Sequence, residues 1–309
     1  MDPFDKRLLF VTGKGGVGKT TVAYALGLAA AVAGKRAIVC EIASQERGAD
    51  LFARKPIGFE ETRLAKGLWA LSVDPDELVH EYLQTHMPVR AMAELLHRSR
   101  LFTYLAAATP GLAEMVTMGK VWELAQTPRK APGRSRTYDV VIVDAPATGH
   151  GVGLLRTPRT FREIARVGPL ANQARRIEET LTDPRMTAIT IVARAEEMAV
   201  NESIGLEEAL TGAPEGAFAV DRVYVNGLYP RRFTDDERSE LEALGSTVGD
   251  GPAGSALSAA TEEIARVAAQ SAQLDRLRAG VEAPVVELPF LFAPRIGRAE
   301  LDILAEALT

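Results

Sequence analysis

Short apolar runs bounded by turn-forming residues recur along this chain. They are LLFV from Leu8 to Val11, AIVCEI from Ala37, LWALSV from Leu68, VVIVDA from Val140, AITIVA from Ala188 and VYVNGL around Tyr224. None shows the alternation of a strand with one wet face, so each reads as a strand buried on both sides. A further run, PVVELP from Pro284, is either another strand or an extended segment. Between the runs lie helical stretches. TVAYALGLAAAVA, rich in alanine and leucine, follows the first run and ends near Gly34, a residue suited to a helix C-terminus. Strand and helix in alternation predict an α/β fold, with a mainly parallel sheet covered by helices on both faces.

Two regions break the rhythm. From about Asp76 to Gln126 the pattern is helical throughout, with Met92, Leu95, Leu96 and Phe102 near one face and Met115, Met118 and Trp122 on another. The basic stretch from Thr127 to Arg136 closes it as a loop. A second, arginine-rich helical region runs from about Thr160 to Leu181. The prediction is a single domain over 1–309 carrying an inserted helical subdomain at about 76–136 and 160–182. Gly245 to Ser255 reads as an exposed linker before a helix that ends at Gly280. No internal repeat is visible.

Composition narrows the partners. The chain has 309 residues, 47% hydrophobic and 25% charged, with a formal net charge of −5. That mild acidity offers no basic face for nucleic acid. Cys40 is the only cysteine, so it cannot form an internal disulfide or a thiolate metal cluster within one chain. The N-terminus lacks the apolar run of a signal peptide, and no stretch reaches the roughly 20 apolar residues of a membrane span. The expectation is a cytoplasmic protein without stable membrane insertion.

Candidate chemistry begins after the first strand. GKGGVGKTT, from Gly13 to Thr21, fits the phosphate-loop spacing, with Gly13, Gly18, Lys19 and Thr20 in the fixed positions. Glycines let the backbone N–H groups of Gly13, Lys14, Gly15, Gly16, Val17, Gly18, Lys19, Thr20 and Thr21 turn toward phosphate oxygens. The following helix points its positive end at the same anion. Lys19 can reach the β- and γ-phosphates of ATP, and the Thr20 hydroxyl can ligate Mg2+. VVIVDAPATGH supplies the second element: an apolar strand ends in Asp144, which can hold the Mg2+ shell, followed by a small turn where the γ-phosphate is sensed.

The pair of lysines in KGGVGKTT resembles the deviant Walker A motif of the ParA, MinD, nitrogenase-iron-protein and ArsA-like ATPases. The resemblance implies that Lys14 reaches across a dimer to the partner's nucleotide. DAPATGHGVGLLRTP is similar to the switch II segment of the ArsA-like family, the arsenite-pump and tail-anchored-protein-targeting P-loop ATPases. VDPDELVHEY, PGLAEMVTMGKVWEL, RAEEMAVNES, VYVNGL and ELPFLFAPRIG agree with it in order along the chain. By that resemblance Asn226 and Pro289 frame the adenine. It further implies a P-loop NTPase that is a homodimer or a heterodimer with a paralogue, with a protein client or partner on the helical subdomain.

Several features depart from the family. The switch I position that carries a water-orienting aspartate there holds Ala43 here, with Glu41 two residues earlier. Glu41 is therefore a candidate for the outer Mg2+ shell or for a substitute base, and slow hydrolysis is expected. A nucleotide-binding regulatory subunit that hydrolyses nothing and pairs with an active paralogue is the alternative. The cysteines of a metalloid site and a zinc-binding CxxC are absent, and Cys40 reads as a small buried apolar residue. The methionine stripe of the first helical region reads as core ahead of client surface. His80, His86 and His97 match no metal spacing and read as surface or capping residues.

Overall fold

The buried runs form the strands the pattern predicts. A computed structural model describes residues 3–42, 47–54, 56–74, 78, 111–126, 138–164, 169–212, 217–245 and 251–308. Eight strands join one sheet: Leu8–Thr12 (β1), Ala37–Glu41 (β2), Thr62–Ala65 (β3), Leu68–Ser72 (β4), Val140–Asp144 (β5), Thr187–Ala193 (β6), Val220–Leu228 (β7) and Val285–Pro289 (β8). Their order is β3-β4-β2-β5-β1-β6-β7-β8. Every neighbouring pair is parallel except β3 with β4. In β1, β2, β5 and β6 every position is buried, which is why these strands read as unbroken apolar runs.

The edges differ. PVVELP is a true strand, paired with β7, but only Leu288 in it is fully buried. The pattern missed β3, whose sequence TRLA buries Leu64 alone. A tight turn at Lys66 and Gly67 folds it back on β4, and Gly67 takes the positive φ of 80° that such a turn requires.

The described helices are Lys19–Val32 (α1), Gly48–Leu51 (α2), Leu112–Ala125 (α3), Thr148–Ile164 (α4), Pro169–Thr182 (α5), Glu197–Thr211 (α6), Asp235–Leu244 (α7), Pro252–Gly280 (α8) and Arg298–Ala307 (α9). Two cores cover the two faces of the sheet. On one, Val22, Leu26 and Leu28 of α1 meet Val39, Ile142, Leu301 and Leu304. On the other, Met115, Met118 and Val121 of α3 join Leu154, Ile177, Leu206 and Leu274 over Phe10, Cys40 and Val143. Each such buried side chain contributes about 1.5–3 kcal/mol of transfer free energy.

Two sequence boundaries move. The stretch read as an exposed linker includes helix: α8 begins at Pro252, with proline in the first turn where a missing N–H costs nothing. Helix α4 begins at Thr148, ahead of the predicted second helical region, and carries Pro158 inside it. In the first region Met115 and Met118 are core, and Trp122 donates through Nε1 to the Thr180 hydroxyl of α5 at 3.0 Å. Met92, Leu95, Leu96, Phe102, His80, His86, His97 and the loop 127–136 lie outside the described residues, as does Ala43.

Candidate functional site

Strand β1 is the switch point of the sheet. β5 and then β2 lie on one side of it, β6 on the other. Clefts at the carboxyl ends of strands around such a point are where open α/β sheets bind ligands. The phosphate loop leaves β1 there and runs directly into α1.

Tertiary contacts fix the loop. Val17 buries its side chain in the α1 core. Gly18, the residue before α1, has φ 96° and ψ 26°, and a Cβ added to it would lie 2.3 Å from Asn226 Nδ2. Only glycine accepts both that backbone and that neighbour. Asn226 donates through Nδ2 to the Val17 carbonyl at 2.9 Å, which ties the end of β7 to the loop. Leu228 of β7 pairs with Pro289 of β8, so Asn226 and Pro289 sit on adjacent strand ends. Thr148 N–H donates to the Gly13 carbonyl at 3.2 Å, bringing the start of α4 to the loop's other side.

The polar groups converge. Thr20 Oγ1 donates to Asp144 Oδ2 at 2.6 Å, and Lys19 Nζ donates to the Lys14 carbonyl at 3.0 Å. Asp144 is 6% exposed, and its Oδ1 has no hydrogen-bond partner. Burial pushes its pKa up to about 6, opposed by the Thr20 hydroxyl and by the charges of Lys19 and Arg47. Burial also lowers the Lys19 ammonium, and Asp144 partly offsets this. A hydroxyl and a carboxylate side by side, one carboxylate oxygen buried and unpaired, suit a hard divalent cation such as Mg2+. Among the described residues no cluster of three or more His, Cys, Asp or Glu side chains offers an all-protein metal site.

Glu41 ends β2 in register with Asp144 on β5. Its Oε1 accepts from Gly48 N–H at 2.6 Å and its Oε2 from Arg47 N–H at 3.1 Å. Burial raises its pKa to about 7, with Asp144 adding to the push and the two amides opposing it. Both oxygens are engaged in holding the chain where it enters α2. An open cavity of about 660 Å3 lies beside these groups, lined by Gly16, Gly18, Lys19, Thr20, Thr21, Arg47, Asp50 and Leu51.

Lys14 has a partner that the motif did not announce. Its ammonium lies 2.6 Å from Glu202 Oε1 of α6, and Glu202 Oε2 accepts from the Thr148 hydroxyl at 3.3 Å. Glu202 and Arg47 are the residues that motif reading missed. Glu202 lies inside RAEEMAVNES, one of the segments that carried the family resemblance, and that was its only sequence signal.

Comparisons with known proteins point to one family. The model of the anion-transporting ATPase family matches residues 6–169 and 162–244. The ATPase BagA of Mycobacterium tuberculosis is 27% identical over 299 residues, spanning 92% of this chain and 87% of that protein. A putative arsenical pump-driving ATPase of Aquifex aeolicus is 28% identical over 273 residues, 75% of this chain and 65% of its own length. The ATPase GET3 of Chaetomium globosum is 30% identical over 177 residues, 56% of this chain and 49% of its own.

Proposed function

Because this chain belongs to the ArsA ATPase family, the anion-transporting ATPases, we propose that it is an ATP-driven switch in which the nucleotide draws two subunits together. The observation that carries the reading is the Thr20–Asp144 hydrogen bond at 2.6 Å beside Lys19, with Asp144 Oδ1 buried and unpaired. Lys19 neutralises the β- and γ-phosphates, and the loop amides from Gly13 to Thr21 cradle them. Bound Mg2+, on Thr20 and Asp144, supplies the charge that neutralises the phosphates. Asn226 and Pro289 frame the base.

Lys14 is the charge offered to the partner subunit. With its ammonium on Glu202, closing the dimer means exchanging that carboxylate for phosphate. Glu202 also holds Thr148, so the exchange is felt at the start of α4 and, through it, at the helices α3 and α5 packed against α4. Those helices and the adjoining inserted segment are the proposed seat of a client or partner protein. We take Glu41 as the anchor of the loop into α2 rather than as a base, since both its oxygens hold amides. With alanine at 43, hydrolysis is slow, on the order of 10²-fold below a relative bearing a carboxylate there. The same alanine favours the second reading, a non-hydrolysing partner of an active paralogue. Under it, pure protein releases no phosphate above background.

Calorimetry tests the reading. Lys19→Ala should abolish MgATP binding, because the terminal phosphates lose the lysine of the phosphate loop. Retained affinity would remove the phosphate-loop assignment.

A further inference from the structure

Arg47 stands just where the chain returns toward α1. Two contacts fix its backbone. The buried Glu41 carboxylate accepts the N–H of Arg47 at 3.1 Å and that of Gly48 at 2.6 Å. On the other side Gly48 lies hard against Tyr24 of α1, where an added Cβ would come within 1.9 Å of the phenol oxygen. A side chain at 48 would force the two apart, so glycine is what lets the chain close in on α1. The Arg47 side chain is exposed and lines the phosphate-loop cavity together with Gly16, Gly18, Lys19, Thr20 and Thr21.

Charge around that cavity is uneven. Lys19 is one of its lining residues. Asp50 also lines it but is joined to Arg295 at 3.3 Å. Arg47 and Thr20 line the same cavity, and the charge of Arg47 holds the Asp144 pKa down against burial. A guanidinium stays ionised at any physiological pH and offers a fork of donors that matches phosphate oxygens. Its fixed backbone leaves only side-chain freedom to lose on binding an anion.

We propose that Arg47 is a ligand of the terminal phosphate of the bound nucleoside triphosphate, supplied by the same subunit that holds the rest of it. The proposal rests on the phosphate-loop reading above and adds a second cis cation to Lys19. Lys14, turned to Glu202, is then left for the partner subunit. Glu41 becomes the positioning residue of Arg47, because its carboxylate fixes the amides at 47 and 48.

The test compares a non-hydrolysable ATP analogue with ADP, both with Mg2+, by calorimetry on the full chain. Arg47→Ala should weaken the triphosphate about 10- to 100-fold, the usual loss for a charge-assisted hydrogen bond, and change ADP by no more than about twofold. Arg47→Lys should recover part of the loss, since it keeps the charge without the fork. An equal loss for both nucleotides, or no loss for either, would overturn the proposal: Arg47 would then only shape the cavity or face solvent. If the unmodified chain binds neither nucleotide, the phosphate-loop reading fails first and takes this one with it.

Discussion

Asp144 and Glu41 end neighbouring strands as two buried carboxyl groups, with pKa values pushed up to about 6 and about 7. Folded protein therefore binds protons in a range where the unfolded chain has released them. The sign follows: their contribution to stability is fully present below the ordinary carboxylate pKa and is lost as pH rises through about 6 to 7. Asp144→Asn removes one of the two charges. In protein free of nucleotide and metal, unfolding temperature should favour the natural chain less, relative to Asp144→Asn, as pH rises from about 5 to about 8. A difference that does not move with pH would mean that Asp144 is not held in a penalised charged state. At this scale the sequence was most legible where spacing carries the chemistry. Gly13, Gly18, Lys19 and Thr20 follow from their separations, and Asp144 from its place at the end of an apolar run. Arg47 and Glu202 were not legible so: Arg47 comes to the cavity because Gly48 packs against Tyr24 of α1, and Glu202 because α6 lies beside the phosphate loop.

Elements were legible in proportion to how completely they are buried. The central strands are apolar on both faces and could hardly read otherwise, whereas β3 at the edge fully buries only one of its four side chains and left no run to find. The start of α8 was hidden by Gly251, Gly254 and Ser255, which resemble a loop until Pro252 opens the first turn. Contacts between elements stayed out of reach of pattern reading altogether. The Lys14–Glu202–Thr148 chain joins the phosphate loop, α6 and α4, three segments far apart in sequence. If this chain restrains Lys14, Glu202→Gln should lower the ATP concentration needed for half-maximal dimerisation about 2- to 5-fold. That is the scale of a partly exposed ion pair. An unchanged midpoint, read by light scattering, would show that Glu202 does not compete for Lys14.

For the whole molecule, the alternation of apolar runs and helices predicted the layered α/β architecture, because each layer must bury its apolar face against the next. The strand order was not readable, since nothing local says that β5 slots between β1 and β2. Placing β1 at the switch point is what sets the phosphate loop, Asp144 and Glu202 around one cleft. No helix among the described residues is long and apolar enough to cross a membrane. If ATP draws two copies together through Lys14, as proposed, the dimer dissociation constant must depend on which nucleotide is bound. Measured by sedimentation, the natural chain should dimerise at least about tenfold more tightly with a Mg2+-loaded ATP analogue than with ADP. Lys14→Ala should bind ADP normally and lose that difference. Equal constants with the two nucleotides, or a difference that survives in Lys14→Ala, would mean that Lys14 does not bridge two subunits through ATP.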